Sequence, residues 1–479
     1  MESSNASASQ SVPVAQGVLR RMWSMLTGGG SDTQRWQADF DTQFRKDSIG
    51  HYLNTWLACF TLVVCCLPHT LIELWSGIPI GYAFLRLTNT WRSAWRPFIM
   101  PLGICVLVFI AWQMLSTMWS LDPKHGWNEV FKNRWLALWL IMWPVMDERR
   151  KLIAALKIGL LLGIAAQCVQ FVARQNGIEN VFAPIMGRNI SWLNDPDRLG
   201  GWWHPLAAGS MLLVSLGLHI GPALLGEGRA RLWGVMGTSI SCVGIAMTGT
   251  RGAILVMPLV ITAALILALM RVKPAAHARK LAAWCCGVVV VVGLFAFGMA
   301  GDKLVRRGQL LVSDVRQAVQ DRNFTTDNGA RVQMALWASD AIKERPFTGL
   351  GAGSYETFCK RIAAAPAGTT TPNQPGARFF EHAHNSILHI GATLGVVGVA
   401  LALGIAACGL GAGIGSAVRN GWDVGPGLAL LGLVLVSMTD PVHFNTQTSI
   451  VWYVVLGLCV MWVPKAQKPD AHKALEKLS

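Results

Sequence analysis

Residues 381–398 read EHAHNSILHIGATLGVVG, a run in which three histidines precede an apolar, glycine-dotted stretch. The apolar part is typical of a membrane helix, whereas ionisable groups at the start of such a helix are unusual. The glycines of the run are Gly391, Gly395 and Gly398. At about 100° per residue they share one side of a helix with His384, while His389 points elsewhere. We therefore expect the glycines to let another helix pack closely and to hold His384 out of the lipid.

The rest of the chain is similarly apolar. Of its 479 residues, 52% are hydrophobic and 14% are charged, which lies outside the range of ordinary soluble proteins. Many apolar stretches approach the length of about 20 residues that a helix needs to cross a bilayer. They are continuously apolar and do not alternate with a period of two, so helices are expected rather than a barrel. The sequence therefore predicts an all-α integral membrane protein.

Hydropathy predicts about twelve transmembrane helices. They fall near 52–67, 70–87, 98–119, 127–146, 151–173, 204–225, 232–249, 252–270, 281–299, 384–415, 425–440 and 449–464. The predicted organisation is an N-terminal segment (1–50), helices 1–9 (51–299), a large external loop with amphipathic helices (300–383), helices 10–12 (384–464) and a tail (465–479). No apolar signal-peptide core is visible near the N-terminus, so we expect the first span to direct membrane insertion.

Basic residues orient these spans. They cluster in alternate short loops, for example at 149–151 and 271–280, and in the tail 465–479. Short loops rich in Lys and Arg face the cytoplasm, so both termini are predicted to be cytoplasmic and the 300–383 loop external. Because topology explains much of the net charge of +15, no nucleic-acid partner is expected.

Polar residues gather on the external side, in the segments 174–204, 248–252, 300–383 and 440–449. Few charges fall deep within the predicted spans, whereas an ion-coupled transporter usually places ionisable groups there. A one-sided polar site favours an enzyme that acts on a lipid-borne substrate at that surface. A lipid or polysaccharide transporter is the alternative from another functional class.

The turn TGTRG (248–252) places Arg251 between two predicted spans with almost no spare loop. The guanidinium is therefore expected at a fixed depth at the membrane boundary. Snorkelling to lipid headgroups is the ordinary explanation for such an arginine. The external position and the short turn instead favour a role in binding an anion.

The external loop contains DNGARVQMALWASDAIKERPF (327–347), which predicts an amphipathic helix over 328–344 that ends before Pro346. Asp327 is the expected N-cap residue, and Arg331 lies in the first turn. The following GLGAG (349–353) lacks a preceding strand, so it is not a nucleotide-binding loop. We expect it to form a tight return to the bilayer.

Three motifs together resemble a known family. They are His-Asn-x9-Gly-x-x-Gly at 384–398, Thr-Gly-Thr-Arg-Gly at 248–252, and an Arg-x5-Trp helix followed by Pro-x-x-Gly-x-Gly-x-Gly at 331–353. Their order and spacing resemble the O-antigen ligase (WaaL) family within the O-antigen ligase/polymerase (Wzy_C-like) superfamily. The resemblance covers about residues 195–455.

The resemblance implies a membrane glycosyltransferase of the GT-C type that acts in lipopolysaccharide biosynthesis. Such a ligase moves O-antigen glycan from undecaprenyl diphosphate to lipid A-core at the periplasmic face of the bacterial inner membrane. The implied partners are these two substrates and membrane lipid, with no cofactor. By resemblance, His384 is the general base, and Arg251 and Arg331 bind the diphosphate.

This chemistry agrees with the residue types. A sugar joined to diphosphate already has a good leaving group, whereas the incoming hydroxyl must lose a proton, which histidine can accept near neutral pH. Two arginines can stabilise the departing diphosphate as a metal ion would, so a metal-independent, inverting displacement is expected. Asn385 is a further candidate for contacting a substrate hydroxyl, or it simply caps the helix.

Other external residues leave alternatives open. Asp195 and Asp197 form an Asp-x-Asp pair of the kind that some GT-C enzymes use to hold a divalent metal, although they also suit an ordinary loop neutralised by Arg198. We expect no metal there. Arg188 and Arg198 are further candidates for binding phosphate groups of the donor or the acceptor.

Two relatives offer other activities. An O-antigen polymerase uses the same donor but extends another lipid-linked chain. A protein O-oligosaccharyltransferase often carries an additional periplasmic domain after its last span, which makes it a poorer match to this sequence. The closer motif match and the long external loop favour the ligase.

Overall fold

The computed structural model describes residues 30–178, 181–182, 198–270, 308–310, 312–364, 381–420, 424–443 and 445–460. All regular secondary structure in these ranges is helical. The α-helices are α1 (Gly30–Lys46), α2 (Ser48–Val64), α3 (His69–Leu85), α4 (Leu87–Trp95), α5 (Pro101–Ser116), α6 (Pro123–Phe131), α7 (Leu138–Met142), α8 (Arg149–Gln175), α9 (Pro205–Leu225), α10 (Gly228–Thr248), α11 (Arg251–Leu269), α12 (Asp327–Glu344), α13 (Tyr355–Ala363), α14 (Ser386–Asn420), α15 (Gly425–Val436) and α16 (Thr446–Cys459).

Six helical stretches of the described residues are long and apolar enough to cross a membrane. They are Pro101–Trp119, Pro123–Gln175, Pro205–Leu225, Gly228–Thr248, Arg251–Leu269 and Ser386–Gly415. The helices α15 and α16 are apolar but shorter. This is the fold of an integral membrane protein. The span predicted at 281–299 lies outside the described residues, and the total of twelve stays a prediction.

The predicted span at 127–146 is not one regular α-helix. The segment consists of the end of α6, the short α7 and two 3₁₀ segments, Lys132–Ala137 and Trp143–Glu148. Val145 leaves helical geometry directly after Pro144, which cannot donate a backbone hydrogen bond. Trp139 is fully buried, and its indole N–H donates to the Tyr453 carbonyl at 2.8 Å. Hydropathy detected the apolar segment but could not reveal how its backbone is wound.

The most deeply buried helix among the six is α9. It contacts α8, α10, α11, α15 and α16, and nearly all of its residues are buried. Trp202 and Trp203 precede it, and both indole N–H groups donate to the Cys66 carbonyl in the turn after α2, at 3.0 and 2.9 Å. These bonds fix the start of α9, where His204 is the N-cap residue.

The predicted external helix is present as α12, although its cap differs from the prediction. The Thr326 hydroxyl, and not Asp327, accepts the hydrogen bond from the Gly329 N–H at 3.0 Å. The helix ends at Glu344, before Pro346, as predicted. Its buried side chains that pack against α13 and α14 are Trp337, Ala338 and Ala341.

The long helix α14 is interrupted at Gly395, where φ is 69° and ψ is −169°. This region of backbone conformation is essentially restricted to glycine. The Val396 N–H would normally donate to the Ala392 carbonyl one turn earlier, but it donates to the Pro346 carbonyl at 2.8 Å. The break thus ties the membrane helix to the segment that follows α12.

The loop GLGAG (349–353) fills the break. The Leu350 N–H donates to the Ala392 carbonyl at 2.9 Å, and the Gly351 N–H donates to the Thr393 carbonyl at 2.8 Å. Gly349, Gly351 and Gly353 all have positive φ. A side chain at any of them would collide with the backbone of a neighbouring element. The loop is therefore tightly packed within the bundle. Its glycines are required because of their backbone conformation and because there is no space for a side chain.

We expect Gly395→Ala to destabilise the protein, because a non-glycine residue is strained in this conformation. The strain alone costs about 1–3 kcal/mol. The alanine Cβ would also meet the backbone of Phe347 and Gly349. Gly411→Ala is the matched control on the same helix, because nothing lies within 4 Å of its Cβ position. Thermal unfolding in detergent measures both variants, and equal unfolding temperatures would contradict the expectation.

Candidate active site

A cavity of about 550 Å³ opens where the N-terminal ends of several helices meet. The residues that line it come from the starts of α9, α11, α12 and α16, the stretch before α14 and the turn after α15. Helix N-termini carry partial positive charge and unpaired N–H groups, which favour anions. The charged and imidazole side chains in its lining are Arg198, His204, Arg251, Arg331, Glu381, His382, His384 and Asp440.

The TGTRG turn delivers Arg251 to this cavity. Gly249 ends α10 in the left-handed conformation, with φ 61° and ψ 15°. Thr250 is extended, and its hydroxyl donates to the Pro205 carbonyl at 3.0 Å, which ties the turn to the start of α9. Arg251 is the first residue of α11, and its guanidinium donates to Asn328 Oδ1 at 2.6 Å. The turn therefore holds the arginine at a fixed position, as its length predicted.

Arg331 reaches the same cavity from α12. It lies in the second turn of the helix, three residues after Asn328, so both side chains emerge on one side. The buried apolar face described above fixes the rotation of α12 against α13 and α14. Packing of that face therefore directs Arg331 into the cavity that Arg251 also lines.

His384 precedes α14 in a strained conformation, with a φ of 48° that a non-glycine residue rarely adopts. Its Nδ1 lies 3.0 Å from Asp440 Oδ1. The Ser386 N–H donates to the Ser437 carbonyl at 2.8 Å, and the Asn385 amide donates to the Met438 carbonyl at 2.8 Å. These bonds clamp the segment 384–386 onto the turn after α15 and hold the imidazole beside its carboxylate.

The sequence-based geometry of the glycine stripe was wrong. His384 is outside α14, and the helix breaks at Gly395, so no regular helix connects the histidine to Gly398. Gly391 lies against Ile342 of α12, whereas a Cβ at Gly395 would meet the loop backbone. A Cβ at Gly398 would meet Leu394 and Ile390 of α14 itself. Gly391 and Gly395 therefore pack against α12 and the segment that follows it, and not against another membrane helix.

The remaining predicted residues are distributed differently. Arg198 lines the cavity, whereas Asn385 is absent from its lining. The Asn385 side chain accepts from the Leu388 N–H at 3.0 Å and so caps α14. Arg188 and the Asp195–Asp197 pair lie outside the described residues. Within the described ranges, no group of three His, Cys, Asp or Glu side chains could hold a metal ion.

Two further histidines border the cavity. The His382 and His384 rings lie 4.4 Å apart, edge to face. Burial lowers the pKa of His382 to about 4, and the neighbouring His384 acts in the same direction. Burial also lowers the pKa of His204. Both shifts favour the neutral imidazole at pH 7. Arg198, Arg251 and Arg331 bring positive charge to the cavity.

His389 lies in the bundle rather than at its edge. It is 1% exposed, and its Nε2 is 3.8 Å from the buried Glu129 carboxylate. Glu129 also accepts from the Gly353 N–H at 3.0 Å. Glu129 therefore holds Gly353 of the GLGAG loop, and the buried His389 lies beside this carboxylate and not at the membrane interface.

Sequence reasoning missed Asp440 and Asn328 as site residues. Asp440 was visible only as part of the external turn 440–449, and nothing in the sequence pairs it with a histidine 56 positions earlier. Asn328 occupies an ordinary position near a helix start, where asparagine is common. Only the packing of α12 against the start of α11 reveals its contact with Arg251.

Residues 236–403 match the family model described as O-antigen ligase. The match contains Arg251, Arg331 and His384, the three residues that the motifs singled out. Over this part of the chain, the match supports the O-antigen ligase/polymerase superfamily. It agrees with the resemblance found in the sequence at the level of the superfamily, and the ligase (WaaL) family within it stays a prediction.

The O-antigen ligase match ends before α15, so Asp440 lies beyond it. Comparison with curated protein sequences gives no match. The superfamily assignment implies an enzyme that processes lipid-linked O-antigen in a membrane.

Proposed function

We propose that this protein is an O-antigen ligase that transfers O-antigen glycan from undecaprenyl diphosphate to lipid A-core. One observation carries the proposal: Arg251, Arg331 and a carboxylate-oriented His384 converge on a single cavity. The cavity lies at the ends of apolar helices, where the diphosphate of a membrane-bound lipid would be positioned. We place this end of the bundle at the periplasmic face of the inner membrane and both termini in the cytoplasm.

In the proposed reaction, an acceptor hydroxyl oxygen attacks C1 of the donor sugar. As the new C–O bond forms, the bond from C1 to the diphosphate oxygen breaks, and the hydroxyl proton passes to His384 Nε2. Asp440 accepts from Nδ1–H, which leaves Nε2 to take the proton and stabilises the resulting imidazolium. A single displacement of this kind inverts the configuration at C1.

The two arginines act on the leaving group. Negative charge grows on the diphosphate as the C1–O bond breaks, and guanidinium groups already in place stabilise that charge without reorganisation. Their planar N–H groups match phosphate oxygens in pairs. Arg198 and the surrounding helix N-termini add positive potential to the same cavity.

A reconstituted reaction tests the proposal. Purified protein in liposomes is given lipid A-core and undecaprenyl diphosphate-linked repeats, with no ion gradient, and the products are separated by size. We expect lipid A-core to gain glycan. Elongation of only the lipid-linked repeats would instead identify a polymerase, and the absence of any glycan transfer would favour a transporter.

Metal removal tests the predicted independence from divalent cations. We expect EDTA to leave the rate of transfer unchanged, because the arginines supply the positive charge at the leaving group. A loss of activity that Mn²⁺ restores would refute this and direct attention to Asp195 and Asp197. As a control, excess Mg²⁺ or Mn²⁺ is added after the same EDTA treatment. If EDTA has not lowered the rate of transfer, this addition should leave the rate unchanged as well.

Asp440→Asn is expected to lower kcat by about 10²-fold, since misplacing a catalytic group by about 1 Å costs that much. The donor KM should stay near the wild-type value, because the arginines are untouched. Asp340→Asn on α12 is the control, since its pairing with the neighbouring Lys343 is exposed and contributes little. Steady-state kinetics with varied donor separates the two parameters, and an unchanged kcat would rule out this role for Asp440.

A further inference from the structure

Asn328 bonds to two other segments of the chain through both ends of its amide. Its Oδ1 accepts from Arg251 Nη1 at 2.6 Å, and its Nδ2 donates to Asp314 Oδ2 at 2.6 Å. The residue is 7% exposed and lies in the first turn of α12. Asp314 belongs to the helical stretch 312–320 that precedes α12. Three segments of the chain therefore meet at one side chain.

Only a carboxamide fits this position. It offers an acceptor and a donor on one planar group, whereas a carboxylate only accepts and an aliphatic side chain does neither. A carboxylate in its place would face the Asp314 carboxylate without a proton between them. The two partners also fix which end of the amide carries oxygen and which carries nitrogen.

The amide also separates opposite charges. An arginine that contacts a carboxylate directly can form a bidentate ion pair with it. Such a pair would orient the guanidinium but would also offset the charge that a diphosphate needs. Asn328 instead gives Arg251 a neutral acceptor and directs the Asp314 carboxylate to its own N–H group.

We propose that Asn328 is a positioning residue for the donor diphosphate. It holds Arg251 in place from α12, the same helix that carries Arg331, so one helix sets the spacing of both guanidinium groups. It also gives Arg251 a neutral acceptor and the Asp314 carboxylate an N–H donor. This inference rests on the proposed function, in which Arg251 binds the diphosphate of the lipid-linked donor.

The test compares Asn328→Asp with the double variant Asn328→Asp/Asp314→Asn. In the single variant two carboxylates face each other and one contacts Arg251, so we expect lower thermal stability and a donor KM raised about tenfold or more. In the double variant the amide at position 314 can donate to the new carboxylate. Stability should return, while the donor KM stays high because a carboxylate still contacts Arg251.

The matched control is Gln320→Glu. Gln320 accepts from Arg316 Nε at 2.8 Å on the exposed face of the 312–320 stretch. This substitution makes the same change from amide to carboxylate beside an arginine, but outside the cavity. It should leave both stability and donor KM unchanged. A donor KM that recovers together with stability in the double variant would show that Asn328 is merely structural, and would overturn the inference.

A binding measurement separates this inference from the proposed function. Farnesyl diphosphate, a short polyprenyl diphosphate, is titrated against wild type and both variants in detergent. We expect the wild type to bind it and both variants to bind it about tenfold or more weakly. A wild type that neither binds the probe nor transfers glycan would remove the proposed function. A wild type that does both, with variants of equal affinity, would overturn only the role of Asn328.

Discussion

Replacing His384 with alanine is expected to lower the rate of glycan transfer by about 10²–10⁴-fold, the contribution that a positioned general base usually makes. The acceptor hydroxyl would have to lose its proton to water, while the diphosphate site would remain intact. We therefore expect farnesyl diphosphate to bind the variant with wild-type affinity. Transfer is measured in the reconstituted reaction with lipid A-core and the lipid-linked donor.

His384→Ala is also expected to fold, because the His384 side chain lines the cavity and its removal leaves the backbone bond from Ser386 to Ser437 in place. His69→Ala is the control, since His69 is an exposed histidine at the start of α3, far along the chain from every cavity residue. It should transfer at the wild-type rate. Wild-type transfer by well-folded His384→Ala would eliminate the general-base assignment.

Arg251→Ala and Arg331→Ala are each expected to reduce kcat by about 10²–10³-fold, the usual cost of removing one preorganised donor from a developing anion. Weaker binding of farnesyl diphosphate should accompany the loss, which distinguishes these variants from His384→Ala. Lysine in place of either arginine keeps the charge but not the planar pair of donors. We therefore expect the lysine variants to recover binding more than turnover.

Arg345→Ala is the matched control for Arg331, since Arg345 is exposed at the end of the same helix. It should leave kcat and probe binding unchanged. Full activity in either cavity variant would show that the diphosphate is bound elsewhere. Equal losses in Arg331→Ala and Arg345→Ala would point to a general effect on α12.

Local patterns predicted the helices and the main candidate residues. Continuous apolar runs predicted the bounds of α5, α8, α9, α10 and α11 to within a few residues, because hydropathy depends only on residues that are neighbours in the chain. The TGTRG turn fixed Arg251 since its length left little freedom. Pro346 ended α12 as expected because proline cannot continue a helix.

Long-range pairing was not predictable in the same way. The bond from His384 to Asp440 depends on how the turn after α15 is placed against the start of α14. Helical angles apply to a regular helix, whereas α14 is broken at Gly395, where its backbone bonds to residues 346–351 of the preceding loop. The role of Asn328 likewise emerges only when α12 meets α11.

The break in α14 limits how the cavity can open. Backbone hydrogen bonds join the segment after α12 to α14 before and after Gly395. Helix α12, which carries Arg331, is therefore held rigidly against the start of α14. A lid movement of α12 alone would tear these bonds from a membrane-buried helix with no water to replace them. An opening of the cavity that keeps these bonds would therefore move α12 and the start of α14 together.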